Sequence, residues 1–188
     1  MNPFKYGDPV KGEYFLERSQ LKKTVSEFIK NQINVVLIGP RRFGKTSFIL
    51  DLLQELEQKR LAVFYVDVFN VTSHRDFLQQ LINALATKKA LHTKIRDWIR
   101  SYAKRVQPEL SLDGGPHLSF SLSEHKIADE NVKQIIAETL DSLSTQYKRV
   151  CIAFDEFQTV GKLDDHGWLE ATLRSKMQLN KNVSFIFS

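Results

Sequence analysis

Val35-Val36-Leu37-Ile38-Gly39-Pro40-Arg41-Arg42-Phe43-Gly44-Lys45-Thr46-Ser47 reads as an apolar strand, a turn bounded by two glycines, and the first residues of a helix. Gly39 to Thr46 fits G-x-x-x-x-G-K-[ST], the Walker A pattern, in the strand-to-helix setting that the pattern requires. A chain that turns from strand to helix through glycines can wrap its backbone N–H groups around phosphates, and the helix N-terminus adds partial positive charge. Gly39, Pro40, Arg41, Arg42, Phe43, Gly44 and Ser47 then form a cradle. Lys45 reaches the β and γ phosphates, and Thr46 offers its hydroxyl to Mg²⁺. The alternative is an ordinary turn between two elements.

Val150-Cys151-Ile152-Ala153-Phe154 is a continuous apolar run that ends in Asp155-Glu156. Such a run reads as a strand buried on both faces of a parallel sheet. Ligands of open α/β sheets sit at the carboxyl ends of strands, so Asp155 and Glu156 are expected on the edge that carries the phosphate loop. Asp155 suits Mg²⁺ through a water. Glu156 suits activation of an attacking water, because a carboxylate in hydrogen-bond reach can orient it and accept its proton. A solvated acidic pair opening a loop is the other reading.

The chain has 188 residues, 42% hydrophobic and 26% charged, which suffices for one real core. No apolar run approaches the ~18 residues of a membrane span, and Met1-Asn2-Pro3-Phe4-Lys5 lacks the apolar core of a signal peptide. The single cysteine, Cys151, excludes an intrachain disulfide and points to a reducing, cytoplasmic setting. Zinc ligation has no support.

The net charge of +5 is concentrated in one stretch. Lys88, Lys89, Lys94, Arg96, Arg100, Lys104 and Arg105 face only one acid, Asp97, so the rest of the chain is close to neutral. On a helical projection Leu91, Ile95, Trp98, Ile99, Tyr102 and Val106 form an apolar stripe, with Arg96, Arg100 and Lys104 opposite. A solvated basic face over a core stripe explains this pattern; a contact with nucleic acid or an acidic protein surface explains it too.

The remaining pattern alternates helices and strands. Leu21, Val25, Phe28 and Ile29 mark a first helix, and Phe48, Ile49, Leu52, Leu53 and Leu56 mark the helix after the phosphate loop. A strand over Ala62 to Phe69 precedes Ser73 with Asp76 three residues on, a capping-box-like start for a helix carrying Phe77, Leu78, Leu81, Ile82 and Leu85. About residues 108–123, alternation around Asp113-Gly114-Gly115-Pro116 predicts an inserted β-hairpin, either surface decoration or a partner-binding element. Further elements are a helix from Val132 to about Tyr147, a helix from about Trp168 to Leu179, and a strand over Val183 to Phe187. No repeat or linker interrupts the chain, so one domain over residues 1–188 is the simplest partition, a three-layer parallel α/β fold.

Asn2-Pro3-Phe4-Lys5-Tyr6-Gly7-Asp8-Pro9-Val10, Phe15-Leu16-Glu17-Arg18 with Leu21, Gly39 to Ser47, Phe154-Asp155-Glu156-Phe157 and Ser184-Phe185-Ile186-Phe187-Ser188 together resemble the archaeal-type ATPase family, in the STAND and AAA+-like branch of P-loop NTPases. The Arg41-Arg42 pair inside the loop makes the resemblance more specific than the loop alone. The resemblance implies a sheet whose last strand lies between the phosphate-loop strand and the Asp155 strand. It also implies an adenine pocket in the N-terminal segment, residues 1–20, around Pro9, Val10, Phe15 and Arg18, with Arg18 as a base- or phosphate-side contact. The resemblance implies a continuation past the position of Ser188 into a fifth strand, a helical lid and a C-terminal domain, so residues 1–188 are expected to correspond to the nucleotide-binding part alone. By the resemblance, Ser188 falls where a polar residue senses the γ phosphate. Arg174 is a candidate for acting on a neighbouring subunit's nucleotide, or else a surface charge.

Three functions follow as expectations. The leading one is an ATP- and Mg²⁺-dependent switch module in which Lys45, Thr46 and Asp155 hold Mg-ATP and Glu156 hydrolyses it slowly. The second is an ATP-dependent DNA- or protein-binding module with little turnover, using Arg96, Arg100 and Lys104. A kinase is disfavoured, because no acceptor-binding signature accompanies Asp155-Glu156. The phosphate-loop strand is also expected to be a sheet edge prone to self-association.

Overall fold

The structure is a computed structural model, which describes residues 18–86, 129–163 and 167–188. The predicted basic helix with Arg96, Arg100 and Lys104, the predicted hairpin, and Pro9, Val10 and Phe15 lie outside the described residues. In chain order the elements are α1 (Ser19–Lys30), β1 (Val35–Val36), α2 (Lys45–Gln58), β2 (Ala62–Asp67) and α3 (His74–Ala86). They continue with α4 (Asp129–Gln146), β3 (Val150–Asp155), a 3₁₀ helix (Phe157–Lys162), α5 (Trp168–Leu179) and β4 (Val183–Phe187).

The four strands form one parallel sheet in the order β1-β4-β3-β2. The last strand therefore does lie between the phosphate-loop strand and the Asp155 strand. Register pairs Asp67 with Asp155, Tyr65 with Ala153, and Phe154 with Phe187. Parallel pairing brings the carboxyl ends of all four strands to one edge, where the loops before α2 and after β3 also meet.

Side chains alternate across each strand, and the alternation builds two separate cores. Val63, Cys151, Ala153 and Ile186 pack against α1 and α2 through Val25, Ile29, Phe48, Ile49, Leu52 and Leu56. Phe64, Val66, Ile152, Phe154, Phe185 and Phe187 pack against α3, α4 and α5. The layers are thus helix, sheet, helix, as predicted. Cys151 is fully buried in the first core, and burial pushes its thiol up to about 12. Among the described residues no helix is long and apolar enough to cross a membrane.

Three boundaries differ from the sequence expectation. β1 is two residues rather than the four from Val35 to Ile38, although the Leu37 N–H still donates to the Phe187 carbonyl at 2.7 Å. Among the described residues β1 pairs only with β4, leaving Val36 65% and Ile38 94% exposed. β2 stops at Asp67 rather than Phe69, because the Asp67 carboxylate accepts the Phe69 N–H at 2.9 Å and the Val71 N–H turns back to the Val68 carbonyl at 3.2 Å. On α1, Val25 and Ile29 are buried while Leu21 and Phe28 stay exposed, so half of the predicted stripe faces outward.

Candidate functional site

The loop from Gly39 to Gly44 owes its shape to two left-handed residues, Arg42 (φ 63°) and Gly44 (φ 75°), on either side of Phe43. Alternating hand in this way turns successive N–H groups toward one concavity, the geometry of an anion-binding nest. Gly44 meets this requirement without strain. Arg42 does not, because a left-handed conformation costs a residue with a Cβ roughly 1–2 kcal/mol. The Lys45 ammonium donates to the Gly39 and Pro40 carbonyls at 3.2 and 3.4 Å, folding its charge over the loop.

One contact holds this loop, and a second ties α1 to α2 beside it. The Arg18 guanidinium donates to the Phe43 carbonyl at 2.6 Å and lies 4.7 Å from the centre of the Phe43 ring. In the structure Arg18 therefore fastens the tip of the phosphate loop. Lys22, one turn further along α1, pairs with Asp51 at 2.8 Å and Glu55 at 3.4 Å on α2; the Asp51 hydrogen bond is the main cause of its raised pKa.

Asp155 lies at the end of β3, 2% exposed, on the same face as Ala153 and Cys151. Four donors surround its carboxylate. Oδ2 accepts the Thr46 hydroxyl at 2.6 Å and the Tyr65 phenol at 2.9 Å. Oδ1 accepts the Ser188 hydroxyl and the Glu156 N–H, the latter at 3.1 Å. Burial first, and then the Asp155 charge, pushes the Tyr65 phenol well above its ordinary pKa, so it stays protonated and donates.

Glu156 follows in a left-handed conformation (φ 56°), and its carboxylate accepts a hydrogen bond from the Gln158 amide. Both strands meet again here, since the Phe157 N–H donates to the Ser188 carbonyl at 2.7 Å and the Ser188 N–H to the Phe154 carbonyl at 3.0 Å.

The predicted residues are therefore brought together in large part. Lys45 and Thr46 begin α2, and Thr46 touches Asp155 directly. Arg174 is exposed on α5, in the layer across the sheet from the phosphate loop. Sequence reasoning missed Tyr65 and Gln158. A tyrosine in an otherwise apolar run, Ala62 to Val66, was the available signal for Tyr65, since its hydroxyl needs a partner.

The donor set near Thr46 and Asp155 consists of oxygen only, and among the described residues no cluster of three histidine, cysteine or acidic side chains occurs. One hydroxyl and one carboxylate suit a hard cation that takes its remaining ligands from phosphates and water, as Mg²⁺ does.

The family described as "ATPase domain predominantly from Archaea" matches residues 15–186. An ATP-binding protein of Methanocaldococcus jannaschii is 22% identical over 143 residues, covering 71% of this chain and 39% of that protein. The chain thus spans well under half the length of this curated relative. The Walker-type ATPase PABY2304 of Pyrococcus abyssi superposes with a TM-score of 0.58 at 16% identity, covering 99% of this chain and 48% of the other. The ORC1 protein of Aeropyrum pernix, solved in complex with DNA, superposes with a TM-score of 0.56 at 15% identity, covering 93% and 40%. At such identities the two structures speak for the fold, a P-loop ATPase sheet, while the family match extends over nearly the whole chain: this chain belongs to the family of ATPase domains found predominantly in Archaea.

Proposed function

We propose that the chain is an ATP-binding module of a STAND- or AAA+-like switch, with residues 1–188 acting as one ATPase core in a cytoplasmic protein. The observation that carries this reading is the direct contact of Thr46 with Asp155, which joins the phosphate loop to the carboxylates at the tip of β3. The relative's description as ATP-binding supports the choice of nucleotide. The backbone N–H groups of the loop from Gly39 to Gly44 would hold the phosphates, and Lys45 would exchange two loop carbonyls for phosphate oxygens. Pro9 and Val10 would flank the base, and Arg18 would stand on the phosphate side at the loop tip.

Thr46 and Asp155 would hold Mg²⁺, which when bound would neutralise phosphate charge. Glu156 would turn from Gln158 and accept a proton from water as the water oxygen bonds to the γ phosphorus and the bond to the β-phosphate oxygen breaks. Turnover is slow in this proposal, resetting a switch rather than supporting flux.

Mg-ATP at one hundred times Kd should stabilise the domain by about 2.7 kcal/mol and raise its Tm by a few degrees. Lys45→Ala should abolish the shift. Glu156→Gln should keep it while cutting turnover by roughly 10² to 10⁴. An unshifted melting curve in the unmutated chain would remove the basis of the proposal.

A nucleotide-dependent DNA-binding module with little turnover is the second reading, favoured by the basic row of Arg96, Arg100 and Lys104 and by the likeness to an ORC1 protein solved with DNA. Charge reversal along that row should abolish salt-dependent DNA binding if it holds. Self-association through β1 is a further proposal, supported by the exposure of Val36 and Ile38, and sedimentation across a concentration series would test it.

A further inference from the structure

An ionised carboxylate offers about four lone-pair sites, and the structure shows four donors on Asp155. A metal-bound water that is to donate to this carboxylate needs one of those sites. The four donors differ in how readily they yield. The Glu156 N–H is backbone next to the carboxylate it serves. The Thr46 hydroxyl can keep donating its proton while its own lone pair turns to a cation. Ser188 sits on Oδ1, the oxygen that Thr46 does not touch. Tyr65 shares Oδ2 with Thr46, so its phenol and a cation held by Thr46 would draw on the same carboxylate oxygen.

Tyr65 also has somewhere to go. It is half-buried, and it lines a groove of about 430 Å³ between α2, β2 and α3 whose other walls include Leu53, Gln54, Glu57 and Asn83. β2 is the outermost strand among the described residues, so on this side no further strand holds the ring in place.

We propose that Tyr65 is a positioning residue that competes with Mg²⁺ for Asp155: its phenol holds Oδ2 until the metal-bound nucleotide displaces it toward the groove. This inference rests on the phosphate-site reading above. It sets the Mg²⁺ concentration at which the nucleotide is held, and it makes β2 a reporter of occupancy at the phosphate loop.

The test uses the full 188-residue chain, a fluorescent non-hydrolysable ATP analogue and a Mg²⁺ titration. Tyr65→Phe removes only the competing hydroxyl, so the half-saturating Mg²⁺ concentration should fall about 3- to 10-fold, the range expected for one lost hydrogen bond. Binding of the analogue without Mg²⁺ should not change. An equal or higher Mg²⁺ requirement in Tyr65→Phe would overturn the competition while leaving nucleotide binding intact. Failure of the unmutated chain to bind the analogue at all would overturn the site reading and this inference together. Should the variant fold poorly, 3-fluorotyrosine placed at position 65 gives a second readout. Its ¹⁹F resonance should move along the same Mg²⁺ titration with nucleotide present, and a resonance indifferent to Mg²⁺ would refute the displacement.

Discussion

Phe154 and Asp155 are neighbours on one strand, both buried, and they face opposite worlds. Phe154 lies among rings, with Phe77, Phe187, Phe157 and Phe185 at centroid distances of 5.4, 5.7, 5.8 and 6.3 Å. Asp155 lies among hydroxyls. Strand alternation alone separates the two environments. The aromatic side has shape but no charge to place, while the polar side has donors that must meet within about 3 Å. The packed side thus supplies the rigidity on which the polar side depends: the strand tip is held by Phe154 so that four donors can surround Asp155.

The largest effect is expected on the aromatic side. Phe154→Ala should cost about 3–5 kcal/mol, a large part of the stability of an ordinary domain, read as a lower urea midpoint with an unchanged slope. A loss under about 1 kcal/mol would mean that the ring cluster does not anchor the strand tip. Asp155→Asn comes next. It presents an amide to hydroxyls and an N–H arranged for a carboxylate, which should cost about 1–3 kcal/mol and remove the Mg²⁺ dependence of nucleotide binding. Equal stability of this variant and the parent would show that the four donors are satisfied without the charge.

Glu156→Gly separates strain from function. Relief of about 1–2 kcal/mol of left-handed strain, offset by about 0.4–1 kcal/mol from the freer unfolded chain, should leave the domain up to about 1.5 kcal/mol more stable while turnover is lost. A destabilised variant would show that Glu156 contributes more through its side chain than its backbone costs.

The smallest effect concerns the start of α3. The Thr72 N–H and hydroxyl donate to the Asp76 carboxylate at 3.0 and 2.6 Å, and the Asp76 N–H donates to the Ser73 hydroxyl at 3.1 Å. Burial opposes ionisation of Asp76, but the bonds from Thr72 and Ser73 together outweigh it and lower its pKa. A lowered folded-state pKa means that the contribution is complete at neutral pH and is lost as pH falls through that value. Asp76→Ala should therefore cost about 0.3–1 kcal/mol at pH 7 and nothing in strong acid, measured by urea titration at each pH. The cost of Phe154→Ala, by contrast, should not titrate with Asp76.

Much of the fold is legible in the sequence. The run from Val150 to Phe154 announced a strand buried on both faces, the glycines before Lys45 announced the turn into α2, and Ser73 with Asp76 announced the start of α3. Those signals are local in sequence. What stayed hidden depends on register between strands far apart in the chain: nothing in Ala62 to Asp67 alone says that Tyr65 will stand beside Asp155, ninety residues away. The shortness of β1 was equally hidden, because its apolar residues continue past the last ladder bond into exposure at Ile38. Arg18 was visible as a site residue, but its grip on Phe43 required the loop's own conformation.

The sheet also contains a clock. Cys151 is the only thiol in the chain, sits at the bottom of the core under α2, and stays protonated through the neutral range. A disulfide reagent in solution therefore has to wait for that core to open, and the labelling rate counts openings of the region that carries β3. Because a bound ligand lowers the population of open molecules by the factor 1 + [L]/Kd, the rate of one colour-forming reaction should measure occupancy of the phosphate loop without any probe attached to the protein.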